Sequence, residues 1–189
     1  MVGFEESIFR FINGLAGHVP AIDRVMILAS DARPWMILAA VLFVVGLRMK
    51  NKPLIKALLC CLAALALTDF ISFEVVKPIV ARERPCWSLP HVTMVLNRCG
   101  GSYGFTSNHA ANSFAVWYVV ARIFGSRSIS SISALTLATL VSISRVYLGV
   151  HFFGDVVGGA ILGSLMSFAL FAIGFETLGE RLANKILPQ

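Results

Sequence analysis

The 189 residues suit a single domain, and 57% of them are hydrophobic while only 14% are charged, a balance far from that of a soluble globular chain. Such a chain is expected to be an integral membrane protein. Its net charge of +6 sits in short segments between apolar runs, so the solvated basic face that a nucleic-acid partner would need is missing.

Taken from the N-terminus, Phe4, Ile8, Phe11, Ile12 and Leu15 fall along one helical face while Glu5, Glu6, Arg10 and Asn13 fall elsewhere, which predicts an interfacial helix over Phe4 to Leu15. The stretch has neither the basic start, the continuous apolar core nor the small-residue cleavage site of a signal peptide. Apolar runs follow at Trp35 to Leu47, Leu54 to Phe73, Ala110 to Phe124, Ile129 to Leu148 and Val156 to Phe175, most of them near the ~20 residues that cross ~30 Å of hydrocarbon. The first is short. Residues Ile22 to Ser30 extend it only through a kink at Asp31-Ala32-Arg33-Pro34, because proline disfavours helix in the residue before it. The expected fold is all-α, a polytopic bundle of about five transmembrane helices plus the interfacial helix, forming one membrane-integral domain over residues 1–189.

Arg48, Lys50, Lys52 and Lys56, and then the segment Arg122 to Arg127, join spans without any acidic residue, so these segments are expected to face the cytoplasm. Alternation then puts the N-terminus outside and the C-terminus inside. Trp35, Trp87, Tyr103 and Tyr147 gather on the outer side, as an aromatic belt would.

Cys60 and Cys61 fall within the second span as small packing residues. Cys86 and Cys99 lie in the outer loop, where an oxidising exterior favours a disulfide closing about fourteen residues and contributing on the order of 3 kcal/mol. Neither a CxxC spacing nor a neighbouring histidine pair supports a metal site there, and His91 reads as a solvated loop residue. Pro85, Pro90, Gly100, Gly101 and Gly104 break regular structure around Cys86 to Phe105, which makes residues 86–105 a candidate lid. In the last span, Gly159-x-x-x-Gly163 with Ala160 and Ser164 offers a face for close helix packing.

Three polar clusters interrupt this apolar chain, and ionisable groups near a bilayer point to function. His151 and Asp155, four residues apart, share a helical face. The carboxylate can accept a hydrogen bond from Nδ1 and leave Nε2 free as a nucleophile, with Arg145 placed to hold a phosphate oxygen and Ser144 to bind phosphate beside it or to cap or orient the turn. His109 opens the third span behind Ser107 and Asn108, both good cap residues, so free N–H groups and the positive helix end favour an anion while His109 serves as general acid. Lys77 and Arg84 supply fixed cations for the equatorial oxygens of a phosphoryl group. Arg82 and Arg98 read as headgroup or loop contacts.

The order Lys77-x6-Arg84-Pro85, Ser107-x-His109 and Ser144-Arg145-x5-His151-x3-Asp155 resembles the three-part signature of the type 2 phosphatidic acid phosphatase family. Each piece alone is weak, and the three together are specific. The resemblance implies a helical bundle with its site at the membrane surface that removes phosphate from lipid phosphates or diphosphates without a metal or other cofactor. It also implies roles: His151 forms a phosphohistidine, Asp155 orients it, His109 protonates the leaving group, and Lys77, Arg84, Ser107 and Arg145 bind phosphate. The middle motif departs from the family's usual Pro-Ser-Gly-His, since this chain has Thr106-Ser107-Asn108-His109. Asn108 keeps its backbone N–H for phosphate.

The resemblance implies a bacterial inner-membrane enzyme facing the periplasm or exterior, acting on undecaprenyl diphosphate, phosphatidylglycerol phosphate or the 1-phosphate of lipid A. The alternatives are a phosphotransferase that passes the phosphoryl group to another lipid or sugar, and a non-catalytic lipid-phosphate binder. Retention of both histidines argues against the binder, and five apolar runs argue against a soluble haloperoxidase.

Overall fold

The computed structural model describes residues 3–101 and 103–188, and regular structure among them is helical apart from one isolated bridge between Glu83 and Tyr103. The longer helices are α1 (Phe4–Asn13), α2 (Pro20–Ser30), α3 (Ala32–Arg48), α4 (Lys52–Phe70), α5 (Asn108–Phe124), α6 (Ile129–Tyr147), α7 (Phe153–Ala172) and α8 (Phe175–Ile186). Their boundaries follow local chemistry. Asp31 ends α2 and caps α3 by accepting from the Arg33 N–H at 3.0 Å. Asn51 caps α4 in the same way, with Pro53 in the first turn where no intrahelical N–H is needed.

Three helical stretches are long and apolar enough to span a bilayer alone: Lys52–Val80, Ile129–Tyr147 and Phe153–Ala172. A fourth span arises if α2 and α3, bent by 58° at the kink that the Asp31 to Pro34 segment predicts, count as one. The remaining expected span corresponds to α5, whose 17 residues lie at the short end of the spanning range. It occupies the middle of the bundle, packed against α4, α6 and α7. The second span runs past its expected end at Phe73, because a π-helical turn over Ile71–Val76 and one more α-turn, Lys77–Val80, continue α4. Lys77 therefore belongs to the span instead of following it.

The π turn has a geometric consequence. Residues five apart lie about 140° round an α-helix, but i to i+5 bonding brings them towards one face. Ser72 and Lys77 accordingly both reach the chain entering α5.

Helices α5 and α7 pack closely, and glycine makes it possible. A Cβ at Gly163 would collide with the carbonyl of Ala111, and one at Gly159 would meet the Ser107 carbonyl at 2.5 Å. The Gly159-x-x-x-Gly163 face thus packs on α5, where Ala111 and Ala115 are fully buried.

Helix α1 lies on the bundle through Phe9, Asn13 and the following Ala16, with Phe9 stacked near Phe152 at 5.6 Å. Asn13, which periodicity puts off the buried face, is in fact buried and donates to the carbonyls of Thr93 and Tyr147, both at 2.8 Å. Phe4, Phe11 and Leu15 stay exposed, as an interfacial helix requires. Tyr147 does not join an aromatic belt. It is buried, and its hydroxyl donates to Asp23 at 2.7 Å.

Candidate active site

The three polar clusters meet at one end of the bundle around a cavity of about 300 Å³ lined by Lys77, Arg84, Asn108, His109, Arg145 and His151, with Arg98, Cys99 and Gly100 from the outer loop. Lys77 arrives on the extended α4. Arg84 lies between the turn Lys77–Val80 and the one-turn helix Pro85–Ser88. His109 stands in the first turn of α5 and Arg145 in the last turn of α6, while His151 occupies the short connection into α7.

His151 is buried, and its two ring nitrogens have different partners. Nδ1 faces Asp155 Oδ2 at 3.4 Å, and Nε2 lies 2.9 Å from Arg84 Nη1. A guanidinium only donates, so Nε2 is the acceptor and the proton resides on Nδ1. Burial first, then the positive charges of Arg84, Arg145 and Lys77, holds the imidazole well below its ordinary value of 6.5, so it stays neutral. The ring is thus neutral, with its unprotonated Nε2 turned toward Arg84 and the cationic cavity.

Asp155 is wholly buried at the third position of α7. Its Oδ2 accepts from the Phe152 N–H at 2.9 Å, and its carbonyl accepts from the Ser107 N–H at 3.0 Å. The tight α5–α7 packing thus ties the helix bearing Asp155 to the helix bearing His109.

The cavity cations use neutral oxygens as partners. Lys77 Nζ donates to the Thr106 carbonyl at 2.6 Å, and Arg84 donates to the carbonyls of Gly101 at 2.6 Å and Val150 at 3.1 Å. Arg145 Nη1 donates to the Ser30 hydroxyl, while its buried Nε has no partner among the described residues. The buried Ser107 hydroxyl is likewise unpartnered. Two orphaned polar atoms therefore sit on residues expected to bind phosphate. His109 Nε2 donates to the Ser30 carbonyl at 3.0 Å, which fixes its proton on that nitrogen.

The PAP2 superfamily model matches residues 57–178. The chain belongs to the PAP2 superfamily. It is 33% identical to a lipid A 4'-phosphatase of Bacteroides thetaiotaomicron over 97% of this chain and 83% of that protein. It is 28% identical to a lipid A 4'-phosphatase of Porphyromonas gingivalis over 89% of this chain and 72% of that protein. Among solved structures, a transmembrane PAP2-type phosphatidylglycerolphosphate phosphatase from Bacillus subtilis superposes with a TM-score of 0.64 at 26% identity, covering 90% of this chain and 86% of that one. The protein is thus a membrane-integral phosphatase.

Within this PAP2 chain, the two departures in the middle motif have local partners. The Thr106 hydroxyl lies 3.1 Å from Ser72 Oγ, which also donates to Asn108 Oδ1 at 3.0 Å. Asn108 Nδ2 in turn donates to Asp69 at 2.8 Å, and Asn112 donates to the same oxygen at 3.1 Å. The side chains where the family has proline and glycine are therefore bound into a network with α4 that holds the start of α5.

Ser144 lies away from the cavity. It is buried, and its hydroxyl donates to the Val141 carbonyl of its own helix at 2.6 Å, so it stiffens the last turns of α6 instead of touching phosphate. Arg82 is not a headgroup contact, because it donates to Asp155 Oδ1 at 3.1 Å and to Glu5. Arg98 does line the cavity mouth. Cys86 and Cys99 are bonded, with Cα atoms 6.0 Å apart. Among the residues that sequence reasoning missed, Asp69 carried a signal, since an acid inside an apolar span is a functional pointer. Ser30 and Glu5 carried none.

Proposed function

We propose that the protein hydrolyses a phosphomonoester of a membrane glycolipid of the lipid A type through a phosphohistidine, without a metal. The observation that carries the reading is His151 Nε2, unprotonated and 2.9 Å from Arg84, facing a cavity that Lys77 and Arg145 also line. In the first step Nε2 attacks phosphorus, the P–O bond to the lipid breaks, and His109, protonated on both ring nitrogens for this step, gives one proton to the departing oxygen and becomes neutral. In the second, His109 takes a proton from water, which attacks phosphorus and releases phosphate as the P–N bond breaks. Asp155 accepts from Nδ1 and steadies the cationic ring that forms. Lys77, Arg84, Arg145, the Ser107 hydroxyl and the first N–H groups of α5 hold the equatorial oxygens.

Similarity to two lipid A 4'-phosphatases along most of the chain favours the 4'-phosphate over the 1-phosphate, undecaprenyl diphosphate or phosphatidylglycerol phosphate. The site opens at the end of the bundle away from the basic segments around Lys52 and Arg122, which supports a periplasmic or exterior face in a bacterial inner membrane. Residues 98–100 reach the cavity, in keeping with a lid role for loop 86–105.

The test is phosphate release by detergent-purified protein in EDTA, wild type beside His151→Ala, on bis-phosphorylated lipid A, undecaprenyl diphosphate and phosphatidylglycerol phosphate. Release from lipid A by wild type alone, leaving the 1-phosphate in place, is expected. Loss of turnover in EDTA, or full turnover by His151→Ala, would overturn the mechanism. Phosphate found on a second lipid with none in solution would turn the reading to a transferase.

A further inference from the structure

The reaction just described leaves Arg82 without a task, yet its side chain contacts Asp155, Glu5 and Phe152 behind the nucleophile. Its Nη1 donates to Asp155 Oδ1 at 3.1 Å and to Glu5 Oε1 at 3.1 Å, and its Nη2 donates to Glu5 Oε2 at 2.5 Å. The guanidinium lies over the Phe152 ring, 4.4 Å from its centroid. Glu5 also accepts from the Gly154 N–H at 2.9 Å, one of the unpaired donors at the start of α7.

The two oxygens of Asp155 are divided between tasks. Oδ2 faces His151 and the Phe152 N–H, and among the described residues Arg82 is the one side chain bonded to Oδ1. A fully buried carboxylate holds its charge only with a cation or several donors beside it. Lys77 and Arg84 act on Asp155 only at longer range, since among the described residues neither lies in ion-pair distance of it, whereas Arg82 does.

We infer that Arg82 is a positioning residue for phosphoryl transfer, holding the Asp155 carboxylate charged and turned toward His151, and that Glu5 of α1 holds Arg82 in place. The inference rests on the reading of His151 as nucleophile. It makes the interfacial helix part of the apparatus, through a chain of contacts running from Glu5 to Arg82, Asp155 and His151. Arg82 is not among the residues lining the cavity, so its loss should slow the phosphoryl-transfer step and spare binding.

The experiment measures kcat and KM on bis-phosphorylated lipid A, with inorganic phosphate binding, for full-length Arg82→Gln, Arg82→Lys, Glu5→Gln, Arg10→Gln and His151→Ala. Arg82→Gln is expected to lower kcat about tenfold to hundredfold with KM and phosphate affinity held within about twofold. Arg82→Lys should recover most of that loss, and Glu5→Gln should lose about threefold. Arg10→Gln removes from the same helix a charge whose ion pair, among the described residues, is with Glu6, and should match wild type. The inference is overturned if Arg82→Gln keeps wild-type kcat. It is equally overturned if phosphate binding falls along with kcat and lysine gives no rescue, which would mark a structural role. Wild-type turnover by His151→Ala would instead sink the nucleophile reading, a result separable from either.

Discussion

The two ends of the bundle use cations in opposite ways. At the end of α4 nearest Lys52, Lys56 Nζ lies 2.9 Å from Glu176 and 3.8 Å from Glu180, and Arg122 lies 3.5 Å from Glu176, so α8 neutralises the basic segments it packs against. At the other end Lys77, Arg84 and Arg145 converge on one cavity, and among the described residues none of them pairs with a carboxylate. Their partners are carbonyls, a hydroxyl and a histidine nitrogen. Paired charges hold helices together, whereas charges facing only neutral dipoles keep an unmet attraction for an anion. Arg82 belongs in kind to the first group although it sits at the second end, and it marks where the carboxylate-paired charges stop and the cavity-facing ones begin.

The largest expected effect comes from removing a charge at the unpaired end. Arg145→Ala should lower kcat/KM about 10² to 10³-fold, read by steady-state kinetics, with little change in unfolding midpoint because no ion pair is broken. A fall in stability with kinetics intact would erase the contrast between the ends.

Next in size is the packing that keeps the site end together. Gly163→Val should destabilise the protein by about 3 kcal/mol in detergent unfolding and reduce activity with it, since the new Cβ would strike the Ala111 backbone and push α7 from α5. Wild-type stability would mean that the two helices can part without disturbing the site.

A smaller effect concerns pH. The lowered His151 value means that the ring is neutral, and so nucleophilic, at every pH above that lowered value, and becomes protonated only below it. The acid limb of kcat/KM should therefore fall well below 6.5, the ordinary imidazole value, in a pH profile of wild type. Arg84→Gln, by removing one of the charges responsible, should move that limb upward. A wild-type limb at 6.5 or higher would contradict the electrostatic account of the cavity.

The smallest effect is expected at the paired end. Glu176→Gln should cost about 1 kcal/mol or less and leave kcat/KM unchanged, since partly exposed pairs contribute little. A loss of activity there would show that the two ends communicate through the bundle.

Much of the site was legible because its chemistry uses residues that an apolar chain otherwise avoids. Lys77, Arg84, His109, Arg145 and His151 all reach one cavity. The kink between α2 and α3 was legible for a similar reason, since Asp31 and Pro34 leave few other conformations open. What escaped notice are contacts between residues far apart in the chain. Arg82 reads as a headgroup contact until α1 and α7 bring Glu5 and Asp155 to it from 77 and 73 residues away. Ser144 reads as a phosphate ligand until the pitch of α6 turns its hydroxyl onto Val141.

Hydrophobic run length, proline and glycine placement and the spacing of the three polar clusters determined the class of fold and the family, and named the polar residues that meet at one cavity. Each of these expresses a local preference or a burial penalty that acts residue by residue. Only the tertiary structure decided which cations face the cavity and which are bound to carboxylates, that Ser30 touches both Arg145 and His109, and that a π turn swings Lys77 to the start of α5. Those outcomes depend on the angular phase and separation of packed helices, which for α5 and α7 is set by two glycines and the backbone carbonyls they approach.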